Sequence, residues 1–342
     1  MTCKRIGVWQ TAFLGDAVLT LPLLQTLAGS FPGSDIYFFV RKGLKSLFNA
    51  DMRYNVIEFD KNGRDRGVPG IAGIISKIRK LKFNLWISPH TSLRSALIAR
   101  GGNALTRIGY NHPLHNLFAY TITVPRRFDD LDEIERILEL ANPLKIVARE
   151  TWPAIVLDRE ARQKADDFWN NNIRGKTIGI HPGSTWPTKQ WPEQYYSQII
   201  NMARSLPQTQ IVIFAGPDEK HIVRQIRSGI KNDDHVIDLS GTLSLPQLAA
   251  YLAKLDCYLT NDSGPMHLAW PQNVPVIALF GPTTGSLGFK PRGHRATVLE
   301  TELPCRPCGL HGHKECPEKH HKCMKSILPE TVMDQIRKKL HG

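Results

Sequence analysis

Short apolar segments alternate with helical segments along almost the whole chain. Arg5–Trp9 and Val274–Phe280 are apolar runs of strand length, whereas Asp16–Ala28 repeats its leucine and valine side chains on a helical period. A repeated succession of strand and helix predicts a parallel sheet that helices cover on both faces. The fold class predicted from the sequence is therefore α/β.

The alternation is interrupted between residues 145 and 175, which predicts two doubly wound domains in the 342 residues. We place the first domain at 1–155, the second at 156–328, and a final helix at 329–342 that can pack back on the first domain. The predicted strands are Arg5–Trp9, Ile36–Val40, Asn55–Phe59, Leu85–Ser88, Thr106–Gly109, Thr177–Ile180, Gln210–Phe214, His235–Leu239, Cys257–Thr260 and Val274–Phe280. Ligands of such domains bind in loops that follow strands, so we expect them in a cleft between the carboxyl ends of the two sheets.

Basic residues are concentrated in one quarter of the chain. The formal net charge is +13, and residues 41–127 hold 16 Lys and Arg against four Asp and Glu. Such a field attracts nucleic acid, an anionic membrane face or a phosphorylated substrate, although a solvated basic surface without a partner stays open. The segment carries no zinc-finger spacing and no RNA-recognition motif, which disfavours nucleic acid.

Composition and the N-terminal sequence predict a globular protein of the cytoplasm. Hydrophobic residues make up 42% and charged residues 22%, which excludes wholesale disorder. No apolar run approaches the roughly 18 residues of a membrane span, and Met1–Phe13 lacks the apolar core of a signal peptide. Six cysteines in such a chain are expected to be thiols or metal ligands rather than disulfides.

Four loops that follow predicted strands carry side chains suited to catalysis or to phosphate binding. Asp16 opens the first helix, where it is expected to be ionised, and it can either accept a proton from an attacking hydroxyl or simply cap the helix. The loop from His181 to Trp191 offers Ser184, Thr185 and Lys189, the hydroxyls and cation that a diphosphate needs, but an ordinary surface loop stays open.

The third loop, Thr260–Ala269, has a glycine and a proline where a helix begins, and the amides of such a helix start can hold a phosphate. Within it, Asp262 can equally cap the helix and His267 can be structural. The fourth loop, Phe280–Thr284, follows the next strand and can be a plain Gly-Pro turn.

The C-terminal part contains four closely spaced cysteines with histidines nearby. Zinc binding stays open for this set, but the spacings differ from those of common zinc ribbons, so reduced or redox-sensitive thiols are favoured. The cysteines are Cys305, Cys308, Cys316 and Cys323.

Taken together, these loops resemble glycosyltransferase family 9, the lipopolysaccharide heptosyltransferases. The matching segments occur in the family's order between about residues 7 and 325, and the cysteine-rich tail is most similar to the heptosyltransferase II type. The segments are Gly15–Asp16 with Thr20–Pro22, Arg107–Tyr110, His181–Trp191, Asp262–His267 and Phe280–Thr283.

The resemblance implies a two-domain GT-B fold and inverting transfer of a heptose from ADP-L-glycero-D-manno-heptose to the lipopolysaccharide inner core, with no cofactor and no catalytic metal. By resemblance, Asp16 is the catalytic base and Lys189 neutralises the departing ADP. The implied donor-binding residues are Ser184, Thr185, Asp218, Asp262, Ser263, Gly264 and His267, although Glu219 stands beside Asp218 where the ribose-binding acid is expected.

The inner core carries carboxylates and phosphates, which gives the basic segment a partner and predicts peripheral contact with the anionic cytoplasmic face of the inner membrane. The candidate acceptor-binding cations are Arg94, Arg64, Arg66 and Lys42. Three alternatives stay open: a different nucleotide sugar or acceptor, a noncatalytic lipopolysaccharide- or nucleotide-binding protein, and a basic RNA-binding protein.

Overall fold

The computed structural model describes residues 4–148 and 150–341. The chain divides into two units, Met1–Val156 and Leu157–Gly342. Each unit is built on one parallel sheet of six strands, which confirms the predicted α/β class.

The sheet of the first unit has the order β3-β2-β1-β4-β5-β6, with every adjacent pair parallel. Its central strands are continuous apolar runs because both faces are covered. The elements are β1 Arg5–Gln10, α1 Leu14–Leu19, α2 Leu21–Ser30, β2 Asp35–Arg41, α3 Lys45–Phe48, β3 Tyr54–Phe59, α4 Gly67–Leu81, β4 Leu85–Ser88, α5 Leu93–Gly102, β5 Thr106–Tyr110, α6 Asn116–Ala119, β6 Ile122–Val124 and α7 Glu133–Glu139.

The second unit repeats this plan with the order β12-β11-β10-β7-β8-β9, again all parallel. The carboxyl ends of β11, β10 and β7 are therefore neighbours at one edge of the sheet. The elements are α8 Arg159–Asn172, β7 Lys176–His181, α9 Glu193–Ala203, β8 Thr209–Ile213, α10 Lys220–Ser228, β9 Val236–Asp238, α11 Leu245–Leu252, β10 Cys257–Asn261, α12 Gly264–Ala269, β11 Val276–Phe280, β12 Ala296–Glu300, α13 Lys322–Lys325 and α14 Pro329–His341.

Two sequence predictions differ from the structure in local detail. The single helix expected over Asp16–Ala28 is two helices that meet at Thr20, because Pro22 stands in the first turn of α2 and has no N–H to continue α1. The strands β6 and β12 were not predicted. Both are edge strands with largely half-buried side chains, so they lack a continuous apolar run.

The C-terminal helix α14 belongs to the second unit. Val332, Met333 and Ile336 on its inner face share one core cluster with Ile199 of α9 and Leu279 of β11. The apolar stripe of this helix is therefore buried within the second unit. Within the described residues, no helix is both long and apolar enough to cross a membrane.

Candidate active site

Asp16 lies in the first turn of α1, directly after β1, at the carboxyl edge of the first sheet. Its Oδ2 accepts the backbone N–H of Phe13 at 3.1 Å, so the carboxylate does close the start of the helix. The capping role that the sequence left open is therefore present. It does not exclude a second role, because a carboxylate has further lone pairs that can accept a proton.

The pKa of Asp16 differs from the expectation for a helix start. Burial raises this pKa from 3.8 to about 6, the charge of Glu133 adds to the rise, and the Phe13 N–H and Arg126 oppose it. Glu133 itself is held by Arg126 at 2.7 Å and by Arg136 at 3.1 Å. Asp16 is thus mostly ionised at neutral pH, and its pKa is near the operating pH, which suits a general base.

A histidine that the sequence analysis missed follows β4 at the same edge. The Nδ1 atom of His90 lies 3.1 Å from the hydroxyl of Thr11 and 3.2 Å from that of Ser95, and the Ser95 hydroxyl is 3.0 Å from the indole nitrogen of Trp9. Burial lowers the pKa of His90 to about 4, and Lys61, Arg126 and Arg94 contribute to the fall. His90 is therefore a neutral hydrogen-bonding group. Its position directly after a predicted strand was the available signal.

Two of the four predicted acceptor-binding cations already have carboxylate partners. Lys42 contacts Asp60 at 2.7 Å, and Arg64 contacts Asp65 at 3.3 Å. Arg66 is exposed at the start of α4. Arg66 and Arg94 both lack a carboxylate partner among the described residues, but only Arg94 belongs to a group of such cations.

That group is Arg41, Lys61 and Arg94. The Arg41 guanidinium lies 5.5 Å from the centre of the Phe13 ring, and that of Arg94 lies 5.9 Å from the centre of the Phe59 ring. The pKa of Lys61 is lowered by burial and by the charges of Arg41 and Arg94, which places the three cations close together. Three neighbouring cations without a carboxylate partner in the described part of the chain create a positive field that attracts anions.

In the second unit, Lys189 and Asp262 form a buried ion pair. The ammonium is 2.6 Å from Asp262 Oδ2, and the two side chains are 10% and 8% exposed. The Thr283 hydroxyl donates to the same oxygen at 2.6 Å. These residues follow β7, β10 and β11, so the strand order brings together groups that stand far apart in the sequence.

The side chain of Asn261 holds the loops around the Lys189–Asp262 pair in place through hydrogen bonds. Its amide donates to the Pro182 carbonyl at 2.7 Å, and its carbonyl accepts the Trp191 N–H at 3.2 Å and the Tyr196 hydroxyl at 3.0 Å. The side chain is fully buried. The last residue of β10 thereby ties the loop that carries Lys189 to the loop that carries Asp262.

The predicted phosphate-binding residues surround the start of α12. Ser263 precedes this helix, and its side chain makes no capping hydrogen bond to the helix amides. Burial lowers the pKa of His267 to about 4, Asp262 opposes that shift, and Lys189 adds to it. Its Nδ1 accepts the Trp270 indole N–H at 3.3 Å, so the neutral imidazole carries its hydrogen on Nε2.

The two predicted hydroxyl residues after β7 differ in environment. Ser184 is buried, and its Oγ accepts the Trp186 N–H at 3.4 Å. Thr185 is exposed. Of these two side chains in the loop that carries Lys189, only that of Ser184 is buried.

The acidic residue near Gly216 that faces this loop is Glu219. The carboxylate of Glu219 accepts the Gly216 N–H at 2.7 Å and lies 3.4 Å from His181 Nε2, whereas Asp218 is exposed. Burial acts to raise the pKa of Glu219, but His181, the Gly216 N–H and the charge of His221 together lower this pKa overall. The short 3-10 turn Pro217–Glu219 turns Asp218 outward, so the prediction of Asp218 is not supported by its position.

The cysteine-rich tail packs on the loop that carries Lys189. The Thr188 hydroxyl donates to the His313 carbonyl at 2.9 Å and accepts the His313 N–H at 2.7 Å, and a ring nitrogen of His321 is 2.7 Å from the Thr188 carbonyl. Arg306 donates to the carbonyl of Thr283 at 2.7 Å. The tail therefore contacts the loop that carries Lys189 and the loop that carries Thr283, whose hydroxyl donates to Asp262.

The described residues contain no group of three or more His, Cys, Asp or Glu that could hold a metal ion. The four-cysteine zinc site that the sequence left open is thus not assembled. Burial raises the pKa of Cys323 to about 11 and, with smaller effects of Cys305 and Cys316, raises that of Cys308. Cys308 and Cys323 are therefore protonated thiols at neutral pH.

Comparisons with known proteins agree with this arrangement. The family model for glycosyltransferase family 9 (heptosyltransferase) matches residues 71–322. A Campylobacter jejuni protein named lipooligosaccharide heptosyltransferase 2 is 33% identical over 167 residues, which span 48% of this chain and only 51% of that relative.

Two solved structures extend the likeness to the whole chain. A glycosyl transferase family 9 structure from Veillonella parvula has a TM-score of 0.86 and 25% identity, and the match covers 98% of this chain and 97% of that one. The structure of Escherichia coli ADP-heptose lps heptosyltransferase II has a TM-score of 0.79 and 20% identity over 98% of both chains. The second likeness shows the fold, which is the predicted GT-B class.

Proposed function

Because the chain belongs to glycosyltransferase family 9, we propose that it transfers a heptose from ADP-L-glycero-D-manno-heptose to the inner core of lipopolysaccharide, with inversion at the anomeric carbon. The observation that carries the proposal is the buried pair of Lys189 and Asp262 at the carboxyl ends of β7 and β10. This is where a doubly wound domain binds a nucleotide. The names of the relatives support a heptose donor and a lipopolysaccharide or lipooligosaccharide acceptor.

The donor's diphosphate is assigned to the start of α12. The amides of Ser263 and Gly264, the Nε2–H of His267 and the hydroxyl of Ser184 supply neutral donors, and Lys189 supplies the cation. Preorganised neutral hydrogen-bond donors in a site that excludes water stabilise the phosphate oxygens. Asp262 holds the Lys189 ammonium in position and is the group assigned to the donor sugar.

Glu219 is assigned to the ribose of the nucleotide. It is ionised, half-buried and turned toward Gly183, where an added Cβ would collide with its carboxylate. A carboxylate accepts hydrogen bonds from two neighbouring hydroxyls, which matches the ribose diol. This assignment replaces Asp218 by its neighbour.

The reaction is a single displacement. The acceptor hydroxyl oxygen bonds to the anomeric carbon while the bond from that carbon to the ADP oxygen breaks, and the bonding pair leaves with ADP. Asp16 takes the hydroxyl proton, and Lys189 neutralises the charge that grows on the diphosphate. Because oxygen attacks the face opposite ADP, the configuration inverts. No step uses a metal, so we expect the rate to be unchanged in the presence of EDTA.

The acceptor's anionic groups are assigned to Arg41, Lys61 and Arg94 rather than to the paired cations Lys42 and Arg64. Inner-core carboxylates and phosphates match three neighbouring cations that have no carboxylate partner within the described residues. Such an acceptor is built on a lipid, so this assignment also supports peripheral contact with the anionic cytoplasmic face of the inner membrane.

The proposal is tested by measuring ADP release with each substrate present or absent. We expect release from ADP-heptose only when an inner-core acceptor is added, and at least tenfold less from ADP-glucose or UDP-glucose at equal concentration, that is about 1.4 kcal/mol of discrimination. Equal rates with another nucleotide sugar would contradict ADP-heptose as the specific donor. ADP binding without any release would favour a noncatalytic binding protein, and salt-sensitive RNA binding without ADP binding would favour the nucleic-acid alternative.

A further inference from the structure

Three helices lie side by side on one face of the first sheet. Ile74 and Ile78 of α4, Ala96 and Ala99 of α5 and Ala119 of α6 share one buried core cluster. Because these residues fix the inward faces, the outward faces of α5 and α6 are determined as well. These outward faces carry exposed leucine and phenylalanine side chains.

Leucine and phenylalanine side chains project from α5, α6 and the turn before α6. Leu93 and Leu97 are four residues apart on α5, hence on one side of the helix, and Leu97 is 50% exposed. Phe118 on α6 is 84% exposed. Scattered exposed leucines are ordinary, but several on neighbouring helices mark an interaction surface. The α5–α6 apolar surface consists of Leu93, Leu97, Leu114, Leu117 and Phe118.

The helices that carry this surface lie in a stretch of sequence whose charged residues are all basic. Between Asp65 and Asp129 the sequence contains ten Lys and Arg and neither Asp nor Glu. Arg100 continues the exposed stripe of Leu93 and Leu97 on α5, and Lys77 and Lys80 are exposed on the neighbouring α4. Exposed apolar side chains beside exposed Lys and Arg are the pattern of a segment that lies in the interface of an anionic bilayer.

We propose that the α5–α6 apolar surface inserts into the headgroup region of an anionic lipid bilayer. The leucine and phenylalanine side chains enter the boundary between headgroups and acyl chains, and the surrounding Lys and Arg contact lipid phosphates. The charge argues against a second copy of this chain as the occupant, because a symmetric contact would place two sets of exposed Lys and Arg against each other.

The position of the surface also suits a lipid-borne acceptor. Helix α5 begins just after β4, and Arg94 in its first turn influences His90 at the carboxyl edge of the sheet. The surface therefore begins beside the cations assigned to the acceptor. This reason for a membrane rests on the proposed function, whereas the binding itself is testable without it.

The test is sedimentation of the full chain with vesicles of phosphatidylcholine alone or with phosphatidylglycerol added. We expect binding to the anionic vesicles that weakens as NaCl is raised. The double variant Leu97→Ser/Phe118→Ser should bind at least about tenfold more weakly, because two large apolar side chains no longer leave water. The matched control is Val147→Ser/Leu328→Ser, which replaces side chains of similar exposure outside the surface and should bind like wild type.

Three results would overturn the proposal. These are wild-type binding by Leu97→Ser/Phe118→Ser, an equal loss in the control, or a wild-type dimer in size-exclusion chromatography that this variant dissociates. Thermal unfolding checks that both variants are folded. Transfer to a delipidated, soluble acceptor should be unchanged in the variant. If wild type transfers nothing to any acceptor but still binds vesicles, the proposed function is wrong, whereas membrane binding by the α5–α6 apolar surface is retained.

Discussion

Replacing Lys189 by methionine separates the two roles that the structure gives this lysine. The change removes the ammonium 2.6 Å from Asp262 and leaves a buried carboxylate whose remaining side-chain donor is the Thr283 hydroxyl. Breaking one side of a buried ion pair costs about 3–5 kcal/mol, and the Thr283 hydrogen bond places the expected loss of unfolding free energy at the lower end, about 3 kcal/mol. Removing a group that stabilises leaving-group charge should also lower kcat about 100- to 1,000-fold.

The double variant Lys189→Met/Asp262→Asn distinguishes stability from catalysis. A neutral pair of similar volume removes the unpaired buried charge, so the free energy of unfolding should return to within about 1 kcal/mol of wild type. The activity should stay as low as in Lys189→Met, because no cation has been restored. The assays are urea unfolding and ADP release at saturating donor. A double variant that regains both stability and turnover would refute a direct role of Lys189 at the diphosphate.

Three further predictions follow from the environments of single residues. Since the pKa of Asp16 is about 6, kcat/KM should rise with pH through about 6 and level off above it. Because burial raises this pKa above its unfolded value, ionisation of Asp16 opposes folding. The stability advantage of Asp16→Asn over wild type should therefore be larger at pH 8 than at pH 5, as measured by urea unfolding at both pH values. Glu219→Ala should raise the KM for the donor about tenfold while Asp218→Ala leaves it unchanged, a loss of the size expected for one charge-assisted hydrogen bond; the reverse order would restore the original assignment. Lys61→Ala should raise the acceptor KM about tenfold with kcat unchanged, whereas Lys42→Ala, whose ammonium is already paired with Asp60, should change it less than about twofold.

The interior strands were predictable because burial on both faces demands an uninterrupted apolar run. β4 was predicted to the residue, and β1 and β2 to within one residue at either end. The edge strands β6 and β12 were missed because β6 has only three residues and the side chains of β12 are at most half-buried, so neither forms such a run. The division of α1 from α2 depended on Pro22, which sequence periodicity alone does not weigh.

The candidate site was predictable as a set of loops but not as a set of contacts. Asp16, Lys189 and Asp262 each follow a predicted strand, which was enough to single them out. The pairing of Lys189 with Asp262 and Thr283 depends on the order β11-β10-β7, which the sequence does not specify. The raised pKa of Asp16 likewise depends on burial and on Glu133, far along the chain.

One measurement tests the central claim most directly. An inner-core acceptor that already carries one heptose is incubated with ADP-heptose and enzyme, and the product is examined by mass spectrometry and by the anomeric NMR signal of the new sugar. We predict a gain of one heptose whose anomeric configuration is opposite to that of the donor. The Asp16→Asn variant should give no gain while still binding ADP. No gain with the wild-type enzyme, retention of configuration, or an unimpaired Asp16→Asn variant would contradict the account.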